Sequence, residues 1–345
     1  MKKYSIRLFF TIVFCLCLSI PVLQAEDKPI KLNVASWNVP NDPNTKVLEA
    51  ISADLRESTG GTVTTEISFK TLGKAEDYYD GVVMGMCDMA YVGLPYTPGR
   101  FPMSEMLGLP ILFPDNNTAA KAHYELLKKG YLDKQFKDVK VIAVGTTSPY
   151  NFIWGKQSVP TLADFKGKKI RCPGGPWTKF TEILGGVPVS VSAAESYMAV
   201  DKGIIDGLLQ SWPAVPVFKI NEVCKYVTQL NLTAFTFAIV VNPNTFNKLP
   251  QAAKDVLTHN VEKYSLHMGK AHDGFNQVGM KLMADAGAKV ESLSPEDTAV
   301  MKKMFKPMFD EWVKEMDGKG LPGKKAMDDI YIALEAMGVK EPFVK

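Results

Sequence analysis

Apolar positions recur along the chain with two spacings that take turns from Ile30 onward. "KLNVAS" alternates apolar and polar residues, the period-two pattern of a strand. Residues 44–58 then repeat at helical spacing and stop at Gly60-Gly61. "TVTTEISF" returns to strand, residues 75–84 to helix and "MAYVG" to strand. After Lys140 the same grammar resumes through "VKVIAVG", "FIWG", "KKIRC", a helix over residues 177–184, and "PVSVS". Such β-α alternation predicts a mainly parallel sheet covered on both faces. The last third is helical: one pattern over residues 251–286, then "KVESLSPED" running from a short strand into a helix start, and two further helices ending near Met337. A helix of residues 251–286 outruns one small lobe at about 1.5 Å per residue, so it is expected to brace two.

One internal echo bears on the organisation. "EDYYDGVVMGMCDMAYVG" and "AESYMAVDKGIIDGLLQS" each read as a helix closed by a glycine (Gly85, Gly203), then an aspartate (Asp88, Asp206) and an apolar strand. Glycine ends helices because it takes the left-handed conformation without strain. Taken alone, two ordinary αβ units explain the echo as well as a true repeat does. The length exceeds one typical core, and with the echo this favours two similar α/β lobes whose strand ends face a shared cleft. The expected fold is α/β in two lobes, with a ligand cleft between them and the long helix bracing both. Residues 26–148 with about 236–276 form one lobe, and 149–235 with about 277–345 the other.

The first 25 residues read as a cleaved signal peptide: a basic head (Lys2, Lys3, Arg7), an apolar run from Leu8 to Ile20, and Ala25 at the cleavage position. The run is too short for a comfortable membrane span and no second one follows, so the product is expected to be exported and unanchored. Without the leader, Lys+Arg falls from 40 to 37 and equals Asp+Glu. The apparent basicity belongs to the leader, and no nucleic-acid or anionic-membrane surface is indicated. Cys87, Cys172 and Cys224 remain, an odd number without disulfide or metal spacing.

Several enzyme classes lack their motifs. There is no G-x-S-x-G elbow, no phosphate loop of the G-x-x-x-x-G-K-[ST] type and no G-x-G-x-x-G. The four histidines lie in helical patterns without H-E-x-x-H spacing and read as solvated or capping residues. Neither a metal nor a cofactor is expected.

What remains is "DFKGKKIRCPGG", which delivers Arg171 from a strand into a Pro-Gly-Gly turn. The planar guanidinium pairs bidentately with a carboxylate, and Gly174 permits close backbone approach. Alone, a strand-end surface charge explains Arg171 equally well. Its surroundings shift the balance. Trp37 and Asn38 follow the first strand; Asn151, Phe152 and Trp154 lie on the strand before the arginine; Trp177 follows the turn; Gln210 and Trp212 follow the echoed strand. Trp154 reads as core. The other aromatics, with one arginine and the amides, predict a pocket for a small apolar anion.

These same runs, "TLADFKGKKIRCPGG" and "AAESYMAVDKGIIDGLLQSWPA" together with "LGKAEDYYDGVVMGMCDMAYVGLPYTPGRFPMSEMLGLPILF", resemble the DctP-type substrate-binding proteins of TRAP transporters, the tripartite ATP-independent periplasmic carriers. The resemblance implies the two-lobe periplasmic-binding-protein fold (type II-like) closing over an organic acid, with Arg171 clamping its carboxylate and Gln210 in the place of the family's amide. It further implies a small and a large membrane permease subunit as partners, driven by an ion gradient. Sialic-acid-binding members carry a second arginine where this chain has Asn151. A dicarboxylate held by one arginine would bury an unpaired charge. The expected ligand is therefore a monocarboxylate with an aromatic or indole body, such as tryptophan or an aryl 2-oxo acid, stacked among Trp37, Phe152, Trp177 and Trp212. Aliphatic branched or hydroxy acids, an ABC-type receptor and a secreted enzyme are the alternatives.

Overall fold

The computed structural model describes residues 29–110 and 113–339; the signal-peptide expectation lies outside the described residues. Eleven strands among them form two sheets. In chain order they are β1 Ile30–Ser36, β2 Val63–Phe69, β3 Met89–Gly93, β4 Lys140–Thr146, β5 Tyr150–Trp154, β6 Lys169–Cys172, β7 Val187–Ser190, β8 Gly207–Ser211, β9 Tyr226–Thr228, β10 Thr236–Val241 and β11 Lys289–Glu291. The helices are α1 Thr45–Ser58, α2 Asp77–Val83, α3 Asn116–Lys128, α4 Pro176–Ile183, α5 Ser196–Asp201, α6 Ala214–Phe218, α7 Ile220–Val223, α8 Pro243–Lys248, α9 Gln251–His259, α10 Val261–Asp285, α11 Pro295–Gly318 and α12 Gly323–Ala336.

The sheet orders are β2-β1-β3-β10-β4 and β11-β9-β5-β8-β6-β7. Setting aside the short edge strand β11, the two are the same arrangement. Three parallel strands (β1, β2, β3 or β6, β7, β8) are followed by one strand running antiparallel to them. The echo is thus a repeat of topology, and its details recur at the atomic level. Met86 N donates to Gly81 O as Ile204 N does to Ala199 O, around Gly85 and Gly203 at φ 73° and 67°. Asn33 N donates to Asp88 Oδ2 at 2.8 Å, and Lys169 N to Asp206 Oδ2 at 2.7 Å. Each aspartate thereby ties its strand start to the neighbouring strand. That tie is what the shared Gly-x-x-Asp spacing encodes.

The chain crosses between lobes through residues 147–149 and 229–235. These two segments are bonded side by side: Thr147 N to Phe235 O at 2.8 Å, Tyr150 N to Thr233 O at 2.7 Å, and Leu232 N to Tyr150 O at 2.8 Å. The antiparallel strands β5 and β10 each follow such a crossing, so each sheet contains a strand that arrives from the other lobe. Sheet burial on both faces fits the apolar strands β3, β8 and β10. On β5, Phe152 and Trp154 pack with Phe165, while Ile153 faces a separate cluster with Leu208, Trp212 and Met283.

Two expectations change. The pattern over residues 251–286 is two helices, not one: Asn260, at φ −100° and ψ 11°, ends α9 before α10 begins. Asparagine is a weak helix former whose side chain competes for backbone bonds. Nevertheless α10 spans both lobes. It lies on α1, α3 and β4 at one end and on α6 at the other. The C-terminal helices do not belong to the second lobe alone. β11 pairs with β9 there, but α12 packs on α3 in the first, where Tyr131 Oη donates to Asp329 Oδ2 at 2.5 Å. Among the described residues, no helix is long and apolar enough to cross a membrane.

Candidate functional site

The ends of β1, β3, β5 and β8 converge on a small cavity between the lobes. Trp37, Asn38, Asp42, Tyr96, Phe235 and Phe237 line it from the first lobe and its crossing strand. Tyr150, Gln210, Ser211 and Phe218 line it from the second, and His272 from α10. Trp37 and Tyr96 meet edge to face at 5.0 Å. Both also line a larger outer groove with Lys70, Lys74 and Glu195. These two rings therefore stand between the cavity and the cleft mouth.

Arg171 lies behind the cavity wall and is completely buried. Its Nε donates to Val191 O at 2.8 Å, one terminal nitrogen to Leu209 O at 3.3 Å, and the other to Tyr96 Oη at 3.4 Å. The Tyr150 phenol is a further hydrogen-bond partner of the guanidinium. No described carboxylate forms an ion pair with it. Burial raises the pKa of the Tyr96 and Tyr150 phenols, and the arginine charge opposes that rise in both. A buried guanidinium without a counter-charge costs several kcal/mol. The phenols that line the cavity and also face Arg171 link that charge to the cavity.

The remaining expected residues divide. Trp37, Asn38 and Gln210 line the cavity, and the indole Nε1 of Trp37 and amide Nε2 of Gln210 are buried without a protein partner. Asn151, Phe152, Trp177, Trp212 and Gly174 are not in the lining. Asn151 sits opposite Gln210, and its Oδ1 accepts from Leu230 N and Asn231 N at 2.8 and 3.0 Å, which secures the second crossing segment. Phe152 stacks on Trp154 inside its lobe. Trp177 fills a space against Gly108 in the first lobe, where a Cβ on Gly108 would come within 2.5 Å of its ring. Trp212 belongs to the second-lobe core. Gly174, at φ 104°, approaches Pro95 and Pro98 of the facing lobe. Its backbone freedom serves the contact between lobes.

Tyr96, Tyr150, Asp42 and His272 were not anticipated. His272 and His123 are buried rather than solvated, and burial pushes them down to about 3 and about 4. Burial pushes Asp42 up to about 7, against a backbone hydrogen bond from Asn44. The signs of these shifts oppose one another. Between about pH 4 and 7 the folded chain keeps a proton on Asp42 that the unfolded chain releases near 3.8, so this residue's contribution falls as pH rises. The two histidines, neutral when folded, contribute stability that is lost as pH falls below 6.5. Asp42→Asn should therefore gain on wild type by about 2–4 kcal/mol between pH 4.5 and 7.5. Urea unfolding at the two pH values measures it; a constant difference would refute the shift at Asp42.

Two α/β lobes thus meet at an aromatic cavity, with a buried arginine behind it that forms no ion pair among the described residues. The chain belongs to the family described as bacterial extracellular solute-binding protein, family 7 (DctP), which residues 34–315 match. The C4-dicarboxylate-binding periplasmic protein DctP of Rhodobacter capsulatus is 23% identical over 316 residues, covering 90% of this chain and 94% of its own. Among solved structures, a TRAP periplasmic solute-binding protein from Desulfovibrio salexigens is 28% identical with a TM-score of 0.78, covering 90% of this chain and 98% of its own. A TRAP solute-binding protein from an unidentified marine microbe is 27% identical with a TM-score of 0.84, covering 89% and 99%. It is described as specific for aromatic acid ligands, and its crystal holds metahydroxyphenylacetate. The fold is that of TRAP solute-binding proteins, and the family serves transport.

Proposed function

We propose that this chain is the periplasmic receptor of a TRAP transporter, that it captures a small aromatic monocarboxylate, and that it presents the closed complex to a pair of membrane permease subunits. The observation that carries this reading is the buried, unpaired Arg171 behind a cavity walled by Trp37, Tyr96, Tyr150, Phe235 and Phe237. A carboxylate supplies the missing counter-charge, and the rings supply apolar and stacking surface for an aryl body. The aromatic-acid specificity of the marine relative supports the choice of ligand class. Ligand touching both lobes favours the closed form by its extra contacts there.

The dicarboxylate named for the Rhodobacter relative fits this cavity poorly. No lysine or arginine among the described residues lines it, so a second carboxylate would be buried there without a counter-charge. Calorimetric titration with aryl monocarboxylates, aliphatic hydroxy acids and C4-dicarboxylates tests the proposal. The expected result is binding of an aryl acid without turnover. Preference for a dicarboxylate or an aliphatic acid would overturn the ligand class, and chemical conversion of the bound acid would overturn the receptor reading.

A further inference from the structure

A second pocket lies at the opposite end of β5 and β8 from the cleft, lined by Trp154, Gly155, Val200, Gly203 and Asp206. The repeat between the lobes shows what the first lobe keeps at the same place. Trp154 pairs with Gly207 across β5 and β8 as Val241 pairs with Met89 across β10 and β3. The next residue in each case donates its N–H to the carbonyl of the repeated aspartate: Gly155 N to Asp206 O and Asn242 N to Asp88 O, both at 2.9 Å. Gly155 is therefore the counterpart of Asn242.

In the first lobe this position is filled from within. Asn242 Nδ2 donates to Val82 O at 2.7 Å, a carbonyl that also accepts from Gly85 N at 3.0 Å. Thr245, on α8, donates from Oγ1 to Asp88 Oδ1 at 2.7 Å. In the second lobe Val200 O accepts from Gly203 N at 3.0 Å, and Asp206 Oδ2 from Lys169 N at 2.7 Å. No side chain among the described residues donates to Val200 O or to Asp206 Oδ1. A Cβ on Gly85 would meet Asn242 Nδ2 at 3.9 Å, whereas one on Gly203 would meet nothing within 4 Å. The second lobe thus keeps both acceptors of the first and omits the side chains that satisfy them.

An occupant must therefore bring donors. Trp154, Val159 and Ile205, all buried, give the pocket an apolar floor, so those donors belong on an apolar body. Lys156 and Lys168 outnumber Asp206 in the wall and oppose an ammonium. A carboxylate has no hydrogen for either acceptor and meets Asp206 as a like charge. A primary carboxamide offers two N–H donors and an oxygen that a lysine can bond. It is also the group that Asn242 supplies in the first lobe. We propose that this end of the second lobe is a binding site for small uncharged molecules that present a primary carboxamide from an apolar body. The site is separate from the inter-lobe cavity and does not depend on the ligand proposed there.

The test is titration of the isotope-labelled protein with benzamide and, separately, with benzoate, followed through assigned NMR resonances. Benzamide is expected to shift the backbone amides of Gly155 and Gly203 and the indole N–H of Trp154 saturably, with a Kd of about 10 mM or below for a ligand of its size. Benzoate is expected to leave these three resonances in place. Gly155→Asn puts the first lobe's amide into the pocket, since a Cβ there lies 3.0 Å from Val200 Cγ1 and 3.4 Å from Asp206 O. It should weaken benzamide binding at least about tenfold. Asp206→Asn keeps an oxygen for Lys169 N and turns an N–H towards the pocket, with the same expected loss. Should one variant fail to fold, judged by its melting curve, the other decides. The proposal is overturned if benzamide causes no saturable shift at these residues, if benzoate shifts them equally, or if the folded variants bind benzamide as wild type does.

Discussion

Replacing Arg171 with methionine should weaken carboxylate binding by roughly 30-fold to several thousand-fold, the 2–5 kcal/mol attached to breaking a buried, hydrogen-bonded charge pair. Stability should respond differently. Methionine removes a buried charge with no ionic partner in the described residues, which favours the folded chain. It also strands the carbonyls of Val191 and Leu209, which accept from the guanidinium, and that opposes the gain by about 1–3 kcal/mol. The ligand-free melting temperature is therefore expected to move by only a few degrees while affinity collapses. Arg171→Lys restores a point charge without the planar fork and should fall between the two. Titration calorimetry and a melting curve on each variant check this. Full binding by the methionine variant would remove Arg171 from the site.

Two alanine substitutions in α10 should have opposite signs. A Cβ on Gly279 would lie 2.0 Å from the backbone oxygen of Trp212, whereas one on Gly274 would meet nothing within 4 Å. In an exposed helix interior alanine gains about 1 kcal/mol over glycine, and Gly274→Ala should show that gain. Gly279→Ala should instead destabilise by about 1–3 kcal/mol, because backbone cannot move aside as a side-chain tip can. The displaced Trp212 follows Gln210 and Ser211, both in the cavity wall, so ligand affinity should fall with it. Denaturant midpoints and a titration for each variant provide the readout. Equal stability of the two would show that α10 does not press on the second lobe in solution.

Much of the architecture was legible because the strand and helix spacings are clean and the glycine-aspartate pairs mark both halves. Arg171 was legible as an unusual residue at a strand end. The cavity lining was less so, for a reason of direction. Ligands were expected at the carboxyl ends of strands, but β5 runs antiparallel to β8, so its first residue faces the cleft. Tyr150 therefore lines the cavity, and Phe152, two residues and about 7 Å further along, packs inside the lobe. Tyr96 was within reach. Extending the echo by three residues aligns Leu94-Pro95-Tyr96 with Trp212-Pro213-Ala214, at strand ends on the same cavity. Asp42 reads as a turn residue, and it does bond the backbone of Asn44 in that way. His272 reads as solvated because a helical pattern gives no hint that α10 is covered by both lobes.

The exchange of β5 and β10 between the sheets also fixes an order of assembly. The strands β5, β6, β7, β8 and β9 of the second sheet form one unbroken stretch of sequence, residues 150–228, and can pair as soon as that stretch exists. The first sheet, though it begins the chain, lacks its fourth strand until residue 241 has emerged, and its flank of α10 until residue 285. The amino-terminal half must therefore wait, unfinished, for sequence made more than a hundred residues after β3. A chain so arranged has no complete hydrogen-bond ladder in its first sheet until both crossings between the lobes have been made.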